Sequence, residues 1–396
     1  MYTSPSDSSV VTTVGEWSCR SCHQSHGGKG VPYLLTKTEE QTCFVSGCHG
    51  TTGTGTDTKN IESEFTKLYA HPTVTTAGKH RNPDDASSLG IDARHAECQD
   101  CHNSHQSKQG LHAVKSNAVS GVLQGVRGVI PQYTDNWTQP TTFLEANPST
   151  QESQICFKCH SYNAFGPLAD GVSAVIGPSG EKITDQAMEF SPKNRSAHPV
   201  QFSLNQQEGA VLPLALTANQ MNSTWSDNGT QTMYCSDCHG NNQPTSQTVP
   251  QGPHASDARF MLTGQAKYWP MNATGTLWSL ADLSNNTNNW QNDLFCVNCH
   301  PLNQAGSFAN NVHSALQHQD ATIKCVTCHV TVPHGSKRSR LIGYDTDVQP
   351  YNYGGVGQYD KLVIQGFEKT SPLLYAKSNC TMNGVCHGTQ IGTYEP

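Results

Sequence analysis

Few stretches of this chain carry a sustained apolar period. The best helical candidate is Lys59–Ala70, KNIESEFTKLYA, where apolar and polar positions alternate with a helical spacing. Two segments, Gly121–Tyr133 and Lys361–Phe367, place β-branched and apolar residues in short runs that suit brief strands. Thr245–Pro253 and Asn285–Asp293 are polar and turn-rich, and read as loops. No apolar run approaches the length of a membrane span. The pattern therefore predicts mostly irregular coil with short helices and few short strands.

Such a pattern in 396 residues raises the question of what fills the interior. Hydrophobic residues make up 35% and charged residues only 14%, with polar uncharged residues and glycine making up the balance. Aliphatic side chains are too few for a conventional core of this size, and the charge is too low for a disordered chain. The formal charge of −7 and the lack of basic clusters argue against a nucleic-acid partner. The unusual counts are 16 cysteines and 19 histidines.

Their spacing explains them. Six stretches read C-x-x-C-H: Cys19-Cys22-His23, Cys98-Cys101-His102, Cys156-Cys159-His160, Cys235-Cys238-His239, Cys296-Cys299-His300 and Cys325-Cys328-His329. Two stretched versions, Cys43-Cys48-His49 and Cys380-Cys386-His387, account for every remaining cysteine. Composition alone would produce roughly 0.03 copies of the short motif in a chain of this make-up. The chemistry is c-type haem attachment: two thiols add to the two vinyl groups of one haem, and the adjacent histidine lies under the iron. Longer inner loops bulge outward between the same anchor points. Zinc sites and disulfide frameworks do not require a histidine directly after the second cysteine. Eight covalent c-type haems are expected, with His23, His49, His102, His160, His239, His300, His329 and His387 as proximal ligands. Eight apolar haem plates then replace the missing core, and the chain without them is expected to be unfolded.

Eleven further histidines remain, enough for a second axial ligand at each iron. His26, His105, His254 and His334 each follow a motif on a short tether that keeps them close to a haem. His71 and His198 share a His-Pro setting. His95 sits three residues before Cys98, within reach of a neighbouring haem. His313 and His318 compete for one place, as do His71 and His80; the distal set taken is His26, His71, His95, His105, His198, His254, His313 and His334. His80 and His112 are read as surface or propionate-contacting residues.

The motifs also repeat as pairs. A two-haem unit recurs over 43–111, 156–262 and 296–342, with loops of very different length. The segment 19–35 reads as the second half of a unit and 380–396 as the first half of another, all within one continuous octahaem unit, 1–396. Half units at both ends suggest completion between molecules, a heterologous head-to-tail contact that builds a filament with haems meeting end to end.

The segments Arg94–His105, Ser196–Val200, Tyr234–Asn241, Gly252–Ser256 and Cys325–Ser336 resemble the multihaem c-type cytochromes of metal-reducing, electro-active microbes. The resemblance spans nearly the whole chain. It implies closely stacked haems, two histidines per iron, and electron transfer rather than catalysis. Some members polymerise into extracellular filaments, and periplasmic carriers share the motifs. Haem attachment to thiols in such proteins follows export. An extracellular or cell-surface location is expected, with the periplasm as alternative, and the leader missing from Met1–Val10 is expected to precede this numbering. Partners are a second copy of the chain, redox-partner cytochromes and external electron acceptors. An octahaem nitrite or hydroxylamine oxidoreductase is disfavoured, because all eight motifs end in histidine and surplus histidines fill the open positions such an enzyme needs.

Overall fold

The computed structural model describes residues 2–3, 10–11, 18–24, 26, 32–45, 48–50, 59–73, 96–110, 112–168, 175–176, 182–210, 218–243, 249–264, 266–268, 271, 276–279, 293–301, 324–354, 361–366, 369–371, 374–375 and 381–382. Among them the chain is mostly coil, and no helix exceeds five residues. Short helical turns do fall on the cysteine motifs, at Ser18–Ser21, Cys98–Cys101, Glu152–Cys156, Cys235–Asp237, Phe295–Asn298 and Cys325–Thr327. One turn suffices to bring both cysteines of a C-x-x-C pair to the same side.

Strands are two to four residues long and pair only in twos. The longest ladder joins Gly128–Pro131 to Phe143–Ala146, within the strand expected over Gly121–Tyr133, whose first residues instead form the 3-10 turn Gly121–Leu123. Ile364–Gly366 is the strand expected near Lys361–Phe367. The long helix expected over Lys59–Ala70 does not form. A 3-10 turn at Glu62–Thr66 ends at Lys67, and Tyr69–Ala70 is a strand paired with Ala255–Ser256. That pairing captures the backbone, and Leu68, an apolar position in the helical reading, is 75% exposed. Of the two expected loops, 249–253 are coil and turn, while 245–248 and nearly all of Asn285–Asp293 lie outside the described residues.

The chain divides into two compact units: 1–85 with 92–104 and 236–264, and 86–91 with 105–235 and 265–396. Among the described residues neither shows a conventional apolar interior. Buried Ser, Thr, Asn, Gln, Asp and Glu are about as numerous as buried apolar residues. One small apolar cluster, in the second unit, gathers Ala266, Trp278, Leu294 and Val297, and Cys296 and Cys325 of two different motifs pack against it. The apolar material here is therefore organised around attachment cysteines.

Three corners repeat one backbone design. Behind the motifs of His23, His239 and His329 the chain makes a 3-10 turn, Pro32–Leu34, Arg259–Met261 and Ser339–Leu341. Each holds two successive non-glycine residues at positive φ: Tyr33 and Leu34, Phe260 and Met261, Arg340 and Leu341. A left-handed conformation costs such residues about 1–2 kcal/mol each. The same set of backbone bonds compensates in all three. Gln24, Gly240 and Val330 N–H groups donate to the carbonyls of Leu34, Met261 and Leu341, while Thr36, Thr263 and Gly343 donate to Cys22, Cys238 and Cys328.

Candidate haem sites

The corners have a chemical consequence. They aim a carbonyl at the ring of each motif histidine. His23 Nδ1–H donates to Tyr33 O at 2.9 Å, His239 to Phe260 O at 2.7 Å and His329 to Arg340 O at 3.2 Å. His49 and His300 use Lys59 O and Gln220 O, each at 3.3 Å. A ring that donates from Nδ1 keeps its lone pair on Nε2, the atom a metal takes, and the bond fixes the ring plane. Burial holds the pKa of His300 down to about 4 and depresses His329 in the same direction, so both are neutral imidazoles near pH 7.

The His-Pro histidines are held by a second repeated device. Tyr69–Ala70 pairs antiparallel with Ala255–Ser256, and Ser196–Ala197 pairs in the same register with Gly335–Ser336. The pairing puts His71 N–H on His254 O at 3.1 Å and His198 N–H on His334 O at 2.9 Å. His71 Nδ1–H donates to Pro253 O and His198 Nδ1–H to Pro333 O, both at 2.5 Å. Burial lowers the pKa of His71 and His198, and takes His254 down to about 3. Each His-Pro segment thus joins the histidine segment of the following repeat, 71 with 254 and 198 with 334. Sequence spacing gave no sign of that exchange.

Two ring pairs face each other at a telling distance. His102 and His254 lie with ring centroids 6.0 Å apart and planes 20° apart; His198 and His300 lie 6.5 Å apart at 45°. Two imidazoles on one metal, each with a metal–nitrogen bond of about 2 Å, place their centroids about 6.3 Å apart. The centroid separation of each pair matches that spacing, with one partner from a cysteine motif and the other from the expected distal set. The tether reading kept His254 close to a haem; the ring it faces belongs to the motif of an earlier repeat.

The cysteines also meet in pairs. Cys98 Sγ donates to Cys43 Sγ, and Cys156 Sγ contacts Cys235 Sγ in the same way; Cys296 lies beside Cys325. In each case the first cysteine of one motif meets the first cysteine of the next within a repeat. Contact with the partner thiol and burial push Cys98 and Cys156 well up, and burial first of all does so for Cys296. Cys98, Cys156 and Cys296 are therefore protonated thiols near pH 7 in the absence of an attached group. Glu152, Cys156 and Cys235 do bring their ligand atoms within 4.8 Å of one another. Both cysteines belong to C-x-x-C-H motifs, so thioether formation leaves that group without its sulfur ligands.

The other expected sites are placed as follows. His26 and His105 are exposed. His112 is exposed too, 3.8 Å from Glu152 and with its ring 4.2 Å from that of Tyr234. His95, His313, His80, His318, Cys380, Cys386 and His387 lie outside the described residues. His334 differs from its counterpart His254, because its Nδ1 meets the carboxylate of Glu189 at 2.6 Å. Spacing rules did not flag Glu189; the only signal was a Glu-Phe pair ahead of both Ala-His-Pro segments, at Glu64-Phe65 and Glu189-Phe190.

One family model, the doubled CXXCH motif, matches residues 12–54. The matched stretch contains Cys19-Cys22-His23 and the stretched Cys43-Cys48-His49. No curated protein and no solved structure matches the chain. No described helix is long and apolar enough to cross a membrane. Taken with the repeated motifs and the facing histidines, the match supports a multihaem c-type cytochrome that carries covalently bound haem, is exported, and transfers electrons.

Proposed function

We propose that the protein carries eight c-type haems, each iron held by two histidines, and conducts electrons along them without making or breaking covalent bonds. The observation that carries this reading is the opposition of His102 to His254 and of His198 to His300 at 6.0 and 6.5 Å. Irons filled on both faces leave no position for a substrate, which favours conduction over catalysis. The three first-cysteine pairs support close spacing, since two haems anchored on touching sulfurs must approach one another at that edge.

In this reading the chain assembles head to tail into an extracellular filament. The half units 19–35 and 380–396 complete one another between neighbouring copies in this reading. Electrons then pass to redox-partner cytochromes and to external acceptors. Haem propionates add to the formal −7, so soluble partners present basic patches and their binding weakens with salt.

Electron microscopy of the purified native protein tests the assembly, and intact mass of the denatured chain counts the haems. Filaments whose repeat is one subunit, with eight haem additions per chain, are expected. Discrete monomers at eight haems overturn the filament and leave a soluble carrier; fewer haems overturn the count.

A further inference from the structure

The His254 and His334 sites share one backbone plan and differ in the side chains around one glutamate. In each, a Glu-Phe pair precedes the Ala-His-Pro strand and its phenylalanine borders the facing histidine. The Phe65 ring lies 6.4 Å from that of His254, and the Phe190 ring 4.9 Å from that of His334. Glu64 turns its carboxylate to Lys67 Nζ at 2.5 Å and Asn241 Nδ2 at 2.7 Å. His254 Nδ1 has only the Gln251 backbone beside it and makes no hydrogen bond of good geometry.

In the second site both of those partners are replaced. Counting from the glutamate, the place of Lys67 is taken by Pro192; counting from the motif histidine, the place of Asn241 is taken by Thr331. Lys193, next in the chain, pairs with Glu208 instead. Glu189, fully buried, receives His334 Nδ1–H at 2.6 Å on one carboxylate oxygen and Tyr351 O–H at 2.6 Å on the other. Both oxygens of the group thus accept hydrogen bonds. The backbone around it is fixed: Asp185 caps the turn Gln186–Glu189 through Met188 N–H, and Asn194 Nδ2 donates to the carbonyls of Met188 and Glu189, each at 2.8 Å.

We propose that Glu189 is a positioning residue that makes His334 a more electron-rich iron ligand than His254, so that the iron bound by His334 has the lower reduction potential of the two. A carboxylate on the outer nitrogen of a metal-bound imidazole raises its basicity and fixes its orientation. Stronger donation stabilises the ferric state. The inference rests on the proposed role of His334 as an iron ligand. Two sites of one backbone plan are thereby set apart electronically, and the electron has a preferred residence.

The experiment is a spectroelectrochemical titration of the holoprotein with low-temperature electron paramagnetic resonance, on wild type, Glu189→Gln, Tyr351→Phe and His334→Ala. In Glu189→Gln, one haem component moves to more positive potential, the others stay, and all irons remain low-spin. The concentration of exogenous imidazole needed to displace His334 falls about tenfold or more. In Tyr351→Phe, the carboxylate loses its competing donor, and the same component moves to more negative potential. Opposite signs from two neighbouring substitutions cannot arise from general loosening, which would shift both the same way. If His334→Ala leaves every iron low-spin, the ligand role itself is wrong. If His334→Ala converts one iron to high-spin while neither Glu189→Gln nor Tyr351→Phe moves any component, the ligand role stands and the role of Glu189 is refuted. Should Glu189→Gln fail to fold, the Tyr351→Phe shift decides alone.

Discussion

Replacing His254 by alanine is the most direct test of how the irons are held. The His102–His254 centroid distance of 6.0 Å matches the roughly 6.3 Å needed for two imidazoles on one metal. Alanine removes one of those imidazoles and leaves a buried space lined in part by Phe65. With eight attachment motifs in the sequence, the change converts one iron in eight, about 12% of the low-spin intensity, to a five-coordinate or water-bound high-spin form. Low-temperature electron paramagnetic resonance and the high-spin charge-transfer absorption both read that fraction. Added imidazole enters the space and restores the lost intensity, because the cavity has the shape of the group removed. His112→Ala is the control: that ring is exposed and sits against Glu152 and Tyr234, so its removal leaves every iron low-spin. An unchanged low-spin count in His254→Ala would refute the pairing, and a high-spin haem in His112→Ala would show that the distal set has been misassigned.

Three further outcomes follow from the packing. Arg338 meets Asp347 through two hydrogen bonds, at 2.6 and 3.0 Å, and Lys337 Nζ stays on the same carboxylate at 2.8 Å, so Arg338→Ala should cost about 1.5–3 kcal/mol in guanidinium unfolding followed by haem circular dichroism. Burial pushes the Asp185 carboxyl up to about 6, so the fold favours its protonated form: stability is full below pH 4 and falls by about 3 kcal/mol as pH rises to 6, and the same unfolding assay should find that slope absent in Asp185→Asn. A Cβ on Gly335 would lie 1.9 Å from Glu189 O, so Gly335→Ala must push the Gly335–Ser336 strand off the Gln186–Glu189 turn and lower the melting temperature, although alanine is native at the matching position, Ala255.

The attachment chemistry was legible in the sequence because it is local. A C-x-x-C-H motif fits on one turn, and the helical turns at Cys98–Cys101 and Cys325–Thr327 needed no distant partner to be foreseen. The misread helix at Lys59–Ala70 shows the opposite case. Ile61, Phe65 and Leu68 have helical spacing, yet the strand contact of Tyr69–Ala70 with residues far along the chain ends the helix after one 3-10 turn. The three corners were hidden for another reason. A pair of left-handed residues is ordinarily signalled by glycine or asparagine, and here Tyr33-Leu34, Phe260-Met261 and Arg340-Leu341 occupy it under the compulsion of identical backbone bonds.

Those corners also explain why the repeats tolerate so much divergence between them. The orientation of His23, His239 and His329 is set by a backbone carbonyl, and that of His71 and His198 by the carbonyls of Pro253 and Pro333. A carbonyl is available whatever the side chain, so sequence can drift at these positions without turning a ligand away from its metal. The side chains that remain are then free to differ between sites, and they do so where a difference matters electronically. Glu64 is neutralised by Lys67 and held by Asn241; Glu189, given Pro192 and Thr331 in their places, acts on His334 instead. Geometry conserved through main-chain atoms, with individuality confined to a few buried side chains, is what a chain of chemically identical cofactors requires if they are not all to have the same potential.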